Sequence, residues 1–261
     1  MTTKSSSPPL TAEPDGWSRL GPLVLQEGAT AHVQVYATMR EALISGYFQP
    51  GEEISLRRAA TVLGTSVTPI REALRQLESE GGLEVFGGNR VLRVPILSDA
   101  VLQEIRDIRV RLEGFAAAEA IGRIRPAQIR LISNACDLMR RAAEEGNADL
   151  YLESNWRFHS LIYRAAQRPV LMNTIQGMWL RVGPLIRLAI NAPEHLEQSM
   201  ASHYAAEQAL RDGDREALQH AIQSDINGAA DNLGPTLRRW QNEQPETGRR
   251  SSRDLRTAAE M

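Results

Sequence analysis

The sequence predicts a mainly α protein: an N-terminal winged helix-turn-helix with a small β-hairpin, then an all-α bundle of about six helices. Three observations lead there. Two short apolar-periodic helices are broken by Leu63-Gly64-Thr65-Ser66, the spacing of a helix-turn-helix. Next, Leu83-Glu84-Val85-Phe86 and Val91-Leu92-Arg93-Val94 flank Gly87-Gly88-Asn89-Arg90, a hairpin pattern. From Asp99 almost to the end the apolar spacing is helical.

Residues 1–28 are rich in Ser, Pro, Thr and Gly and read as a flexible arm. A first helix from Ala31 to Ser45 has Tyr36, Met39 and Leu43 on one stripe, and Gly46 stops it. Ser55 can cap a second helix that buries Leu56, Ala59, Ala60 and Leu63. Either Ser66 or Thr68 can cap the third, with Pro69 in its first turn and Ile70, Leu74 and Leu77 facing inward. The reading head therefore spans residues 29–95, with a hinge at Pro95 and Ser98-Asp99. The bundle spans 99–235: Asp99–Ile121, Pro126–Glu145, Ala148–Ala166, Pro169–Ile190, Glu194–Asp212 and Asp214–Leu233. Residues 241–261 are charged and read as a disordered tail.

A chain of 261 residues accommodates two modest domains. The formal charge of −2 gives no global attraction to nucleic acid, so any DNA contact needs a local arrangement of charge. Cys136 is the sole cysteine, which excludes an intrachain disulfide and a cysteine zinc cluster. With no signal-peptide pattern and no 18-residue apolar run, a soluble cytoplasmic protein without membrane contact is expected.

On the third helix Val67, Arg71 and Arg75 are four apart and share a face opposite Ile70, Leu74 and Leu77. Arg71 can reach a guanine edge or a phosphate, and Arg75 a phosphate. Arg57 would lie beside the DNA backbone, and the tip residues Gly88, Asn89 and Arg90 can enter the minor groove. The alternative is a plainly solvated surface.

These residues carry a resemblance. Gly46, Pro50-Gly51, Leu63-Gly64, Ser66, Thr68-Pro69, Arg71-Glu72-Ala73-Leu74, Leu77 and Glu80-Gly81 resemble the winged-helix domain of the GntR family of bacterial transcription factors. The resemblance implies DNA contacts from Ser66, Val67, Thr68 and Arg71. Val67 stands where the family usually has Arg, so family operators do not transfer.

The bundle resembles the FCD effector domain of the FadR-like branch, through Arg109-Val110-Arg111-Leu112-Glu113 with Ala116-Ala117-Ala118, Asn155-Trp156-Arg157-Phe158-His159 and His203. Many such domains hold a divalent metal. The resemblance places it here on Asn155, His159, His203 and Asp225, a set suited to Zn²⁺, Ni²⁺ or Mn²⁺. The alternative for each His is a hydrogen-bonded core residue. Arg109 corresponds to an arginine that points into the effector cavity, where it would grip a carboxylate, with Arg181 and Arg187 adding to it. The alternative for Arg109 is an i, i+4 ion pair with Glu113. Met139, Met172, Met178, Trp156 and Trp179 either line a cavity or form plain core.

The resemblance implies a ligand-responsive transcription regulator: a homodimer on a palindromic double-stranded operator, repressing until a small organic acid binds. Two readings compete with it. One is an all-α metal-dependent enzyme with an accessory winged helix, for which no nucleophile–base pair is apparent. The other is a regulator whose bundle holds no metal.

Overall fold

The computed structural model describes residues 16–24, 28–87, 91–190 and 193–243, without the side chains of 193–198 and 241–243. Helices α1 (Ala31–Ile44), α2 (Leu56–Val62) and α3 (Val67–Ser79) precede strands β1 (Glu84–Phe86) and β2 (Val91–Arg93). Six longer helices follow: α4 (Asp99–Ala120), α5 (Pro126–Glu145), α6 (Ala148–Ala165), α7 (Pro169–Ala189), α8 (Pro193–Asp212) and α9 (Arg215–Glu243). This is the expected winged helix-turn-helix with an all-α bundle.

In the head, the Ser55 hydroxyl accepts from the Arg58 N–H and starts α2. Ser66 takes the N-cap position of α3, yet its hydroxyl makes no capping bond. Ile70, Leu74 and Leu77 are wholly buried in one core with Val35, Met39 and Leu43 of α1. The Tyr36 hydroxyl bonds the Glu80 carboxylate at 2.8 Å and pins α1 to the end of α3. β1 and β2 pair antiparallel with Glu84 opposite Arg93. That pair is an ion pair at 2.7 Å, and the Arg93 guanidinium lies 3.5 Å from the Phe86 ring centroid. The wing is thereby held at its base by side chains, where a lone two-stranded hairpin would be marginal.

In the bundle, α4 lies along α9 and against α6 and α7, while α5 packs on α6 and α8. The head joins it where α1 meets α7. Gly183 makes this approach possible, because a Cβ there would sit 2.3 Å from the Ile44 carbonyl oxygen and 2.5 Å from that of Leu43. Gly46 ends α1 with φ +64°, a left-handed turn that suits glycine. Its carbonyl accepts from Nε of Arg187, a fully buried side chain of α7. Arg187 also pairs with Asp149 at the start of α6, and Asp149 pairs with Arg19 at 2.7 Å. The Tyr47 hydroxyl donates to Glu153, one turn further along α6.

Two expected boundaries move. The arm over 1–28 is not uniformly loose: Gly16–Arg19 forms a 3-10 helix. Trp17 is buried in an edge-to-face contact with Phe48, with ring centroids 5.0 Å apart, and the Arg58 guanidinium lies over its ring. A composition of Ser, Pro and Gly concealed one anchoring indole. The last helix does not stop near Leu233 but runs through Pro235 to Glu243. Leu237 is wholly buried beside Leu102, Leu185 and Leu188, Arg238 pairs with Asp99, and Trp240 lies close to the Gly51 turn. Burial of Leu237 on this extension outweighs the N–H lost at proline. Residues 88–90 and 244–261, including the tip residues Gly88, Asn89 and Arg90, lie outside the described residues.

Gly183→Ala should lower the melting temperature. Alanine gains up to ~1 kcal/mol of helix propensity, but forcing its Cβ onto two backbone carbonyls costs about 1–3 kcal/mol. Thermal unfolding of the full chain checks this; an unchanged or higher midpoint would show that the α1–α7 contact yields freely.

Candidate functional site

Two sites are built from this frame. On the outside of the head, Arg57, Arg71 and Arg75 are exposed, as are Ser66 and Thr68, and Val67 is partly so. None of the three arginines is paired among the described residues. Arg71, Arg75 and the uncapped start of α3 leave donors and positive charge exposed on one face of that helix, suited to phosphate and base edges, and Arg57 adds an exposed guanidinium on α2.

The second site lies inside the bundle. Asn155 and His159 project from one face of α6, His203 comes from α8 and Asp225 from α9. Asn155, His159 and His203 are buried, and the Asp225 side chain is nearly so. The structure brings all four together. His203 Nε2 is 3.2 Å from His159 Nε2 and 3.0 Å from Asn155 Oδ1, and Asp225 Oδ2 is 3.3 Å from His159 Nε2. Ligand atoms of His159, His203 and Asp225 all lie within 4.8 Å of one another.

Second contacts decide what these atoms offer. His203 Nδ1 donates to the Ser199 carbonyl at 2.6 Å, leaving the Nε2 lone pair inward in the neutral ring. The Ser199 hydroxyl donates to Asp225 Oδ1 at 2.9 Å and accepts from Tyr151 at 3.1 Å. Burial drives the His203 pKa below its ordinary value, so this ring is neutral near pH 7. Burial alone would raise the Asp225 pKa, but the neighbouring His203 and His159 rings and the Ser199 hydroxyl outweigh it. The carboxyl is held well below the usual carboxylate range. Asn155 can turn its amide to donate; the carboxylate and the His203 lone pair have no such freedom. The cluster is rich in electron pairs and short of positive charge, which fits a borderline divalent metal.

Arg109 takes its alternative role. Its Nε bonds Glu113 Oε1 at 2.6 Å, and its guanidinium lies 4.6 Å from the Trp179 ring centroid. Burial opposes the charged guanidinium, and Glu113 more than offsets that, so its pKa stands above the ordinary value. Glu113 also accepts from Tyr163 at 2.7 Å and Trp179 Nε1 at 3.0 Å, and Tyr163 meets His159 Nδ1 at 3.0 Å.

Arg181 and Arg187 do not join this group. Arg181 packs against Gly81 of the head, where a Cβ would sit 2.8 Å from its Nη2, and Arg187 bonds Gly46 and Asp149. Both point towards the head, Arg181 at Gly81 and Arg187 at Gly46. Trp156, Trp179, Met139 and Met172 are buried core, and Met178 packs on it. A groove of about 760 Å³ lined by Leu112, Arg123, Arg168 and Val170 contains none of the clustered residues.

Sequence reasoning gave no role to Tyr163 or Ser199 and treated Glu113 only as a partner for Arg109. The available signal was spacing: Glu113 follows Arg109 by four, Tyr163 follows His159 by four and Ser199 precedes His203 by four.

A head with an exposed arginine face, seated on a helical bundle with a buried donor cluster, has the architecture of a DNA-binding regulator with a sensor domain. Residues 31–92 match the family described as bacterial regulatory proteins, gntR family, and residues 104–228 match the FCD domain. The chain belongs to the GntR family, with an FCD domain behind its reading head. It is similar to the HTH-type transcriptional regulator McbR of Escherichia coli (strain K12), at 29% identity over 73% of this chain and 86% of that protein. A probable D-xylose utilization operon transcriptional repressor of Paenarthrobacter nicotinovorans is 29% identical over 69% of this chain and 78% of that one. Among solved structures, E. coli McbR/YncC superposes with a TM-score of 0.73 at 26% identity, covering 81% of this chain and 99% of that chain. A putative GntR regulator from Rhodococcus sp. RHA1 shares the fold, with a TM-score of 0.65 at 18% identity over 78% of this chain and 98% of that chain.

Proposed function

We propose that this protein is a ligand-responsive transcription regulator of the FadR-like branch, a homodimeric repressor that releases a palindromic operator when a small organic acid enters its bundle. The observation that carries this is the pairing of two sites in one rigid frame. An unpaired arginine face on α3 reads DNA, and a buried cluster on α6, α8 and α9 receives the effector. The enzyme reading is set aside, because the family and its named relatives are transcriptional regulators.

Asn155, His159, His203 and Asp225 would hold a divalent metal, Zn, Ni or Mn. When bound, it supplies an electrophilic centre for a ligand oxygen. Charge supports an acidic effector. Arg109 and Glu113 cancel each other, so a divalent ion beside the Asp225 carboxylate leaves one positive charge, which a carboxylate balances. Arg109 has a further edge for a second oxygen, since its bonds to Glu113 use only Nε and Nη2. Helix α6 supplies the link to the head. Asn155 and His159 sit in its middle, and Asp149 and Glu153 at its start hold Arg19, Arg187 and Tyr47. A shift of α6 on binding changes how the heads are held, and DNA affinity changes by the difference in effector affinity between the two states.

Three measurements test this reading. Arg71→Ala should weaken specific operator binding by roughly 1–3 kcal/mol with the fold intact; fluorescence anisotropy against operator and scrambled duplex decides it, and an unchanged specificity ratio would sink the assignment. Protein purified without a His-tag should contain divalent metal, and chelator should lower its melting temperature, since a ligand of the folded state alone stabilises it. His159→Ala and His203→Ala should each abolish the metal, whereas metal-free wild type indifferent to added ions would favour a metal-free regulator. Ile108 and Phe115 on α4 and Val170 on α7 are exposed apolar side chains that support a subunit contact. Light scattering should give a dimer, and a monomer at micromolar concentration would refute that assembly.

A further inference from the structure

Tyr163 sits between a buried carboxylate and a buried imidazole, and its single proton can serve only one of them. Glu113 is wholly buried and takes hydrogen bonds from Arg109 Nε, Arg109 Nη2 and Trp179 Nε1, groups that can only donate. Its oxygens therefore act as acceptors, and the Tyr163 hydroxyl donates to Oε2 at 2.7 Å. Towards His159 Nδ1, 3.0 Å away, the same hydroxyl can then only accept. The proton of a neutral His159 is thus held on Nδ1. The lone pair is left on Nε2, which faces His203 Nε2 at 3.2 Å and Asp225 Oδ2 at 3.3 Å.

We propose that Glu113 and Tyr163 form a tautomer lock that keeps His159 ready to ligate a metal through Nε2, with Tyr163 as the positioning residue and Glu113 as the group that orients it. The inference rests on the metal reading above and adds residues that reading does not use. Without the lock, the neutral ring has a better option. Asp225 Oδ2 lies where an Nε2 proton would be accepted, so the proton moves to Nε2 and a metal must displace it. Tyr163→Phe removes the acceptor at Nδ1. Glu113→Gln acts one step earlier: its amide N–H₂ can donate to the Tyr163 oxygen, which turns the tyrosine proton onto His159 Nδ1 and gives the same switch. Neither substitution replaces a proposed ligand.

The test uses the full-length, untagged protein, with Zn²⁺ as the probe. Competition with a chromogenic chelator should show Zn²⁺ bound about ten- to a hundred-fold more weakly by Tyr163→Phe and by Glu113→Gln. In metal-free protein at mildly alkaline pH, ¹⁵N signals of the His159 ring should report a bare Nε2 in wild type. They should report a protonated Nε2 in both variants. A merely structural role would not move the proton between the two nitrogens. Should Glu113→Gln, which leaves the Arg109 guanidinium without its carboxylate, fail to fold, Tyr163→Phe carries the test. Variants that keep the proton on Nδ1, or that bind Zn²⁺ as tightly as wild type, overturn the proposal. If wild type itself takes up no Zn²⁺, the metal reading fails, and the ring-nitrogen signals decide whether the lock exists.

Discussion

A carboxylate removed from water must be answered by donors from the protein, and Glu113 at the centre of the bundle imposes that requirement on its neighbours. Arg109 from its own helix, Tyr163 from α6 and Trp179 from α7 all turn towards it. Removing one partner of such a buried pair typically costs about 3–5 kcal/mol, so these side chains are held to it. Three helices are thereby set in rotation about their axes. Once α6 is set, Asn155 and His159 face inward, and α8 and α9 bring His203 and Asp225 to meet them. The polar interior is a connected network, from Arg109 through Glu113 and Tyr163 to His159, and through Asp225 to Ser199 and Tyr151.

The seam between head and bundle depends on a different constraint, the absence of side chain. Gly183 lets the carbonyl end of α1 rest on α7, and Gly46 turns the chain there and offers its carbonyl to Arg187. Arg187 and Arg19 both end on Asp149, so the head, the segment before it and α6 share one carboxylate. Burial raises the Asp149 pKa less than the two guanidiniums lower it, and the carboxyl sits below its ordinary value. Charge pairs at a seam tie surfaces in a fixed register, where apolar contact alone would allow sliding.

Periodicity, caps and breakers determined most of the architecture locally. Ser55, Gly46, Gly64, Gly146 and the Pro169 start mark helix ends where the chain places them, because caps and left-handed glycines act within a few residues. The same local logic failed at Trp17 and beyond Leu233. There a stretch with weak propensity is ordered by a partner distant in sequence: Phe48 in one case, Leu102 and Leu185 in the other. Ser66, one of two candidate caps, has the N-cap position with its hydroxyl unused.

The outward face carrying Arg71 and Arg75, opposite Ile70, Leu74 and Leu77, was determined by sequence alone, since side chains four apart on a helix share a side whatever surrounds them. The resemblance to FCD domains supplied Asn155, His159, His203 and Asp225. What only the tertiary structure decided is how those faces are used. Arg109 goes to Glu113, and Arg187 serves the seam. Tyr163 takes a place between Glu113 and His159. Each of these outcomes is set by which long side chain reaches which buried acceptor first, a competition among groups from different helices that spacing along one helix does not contain.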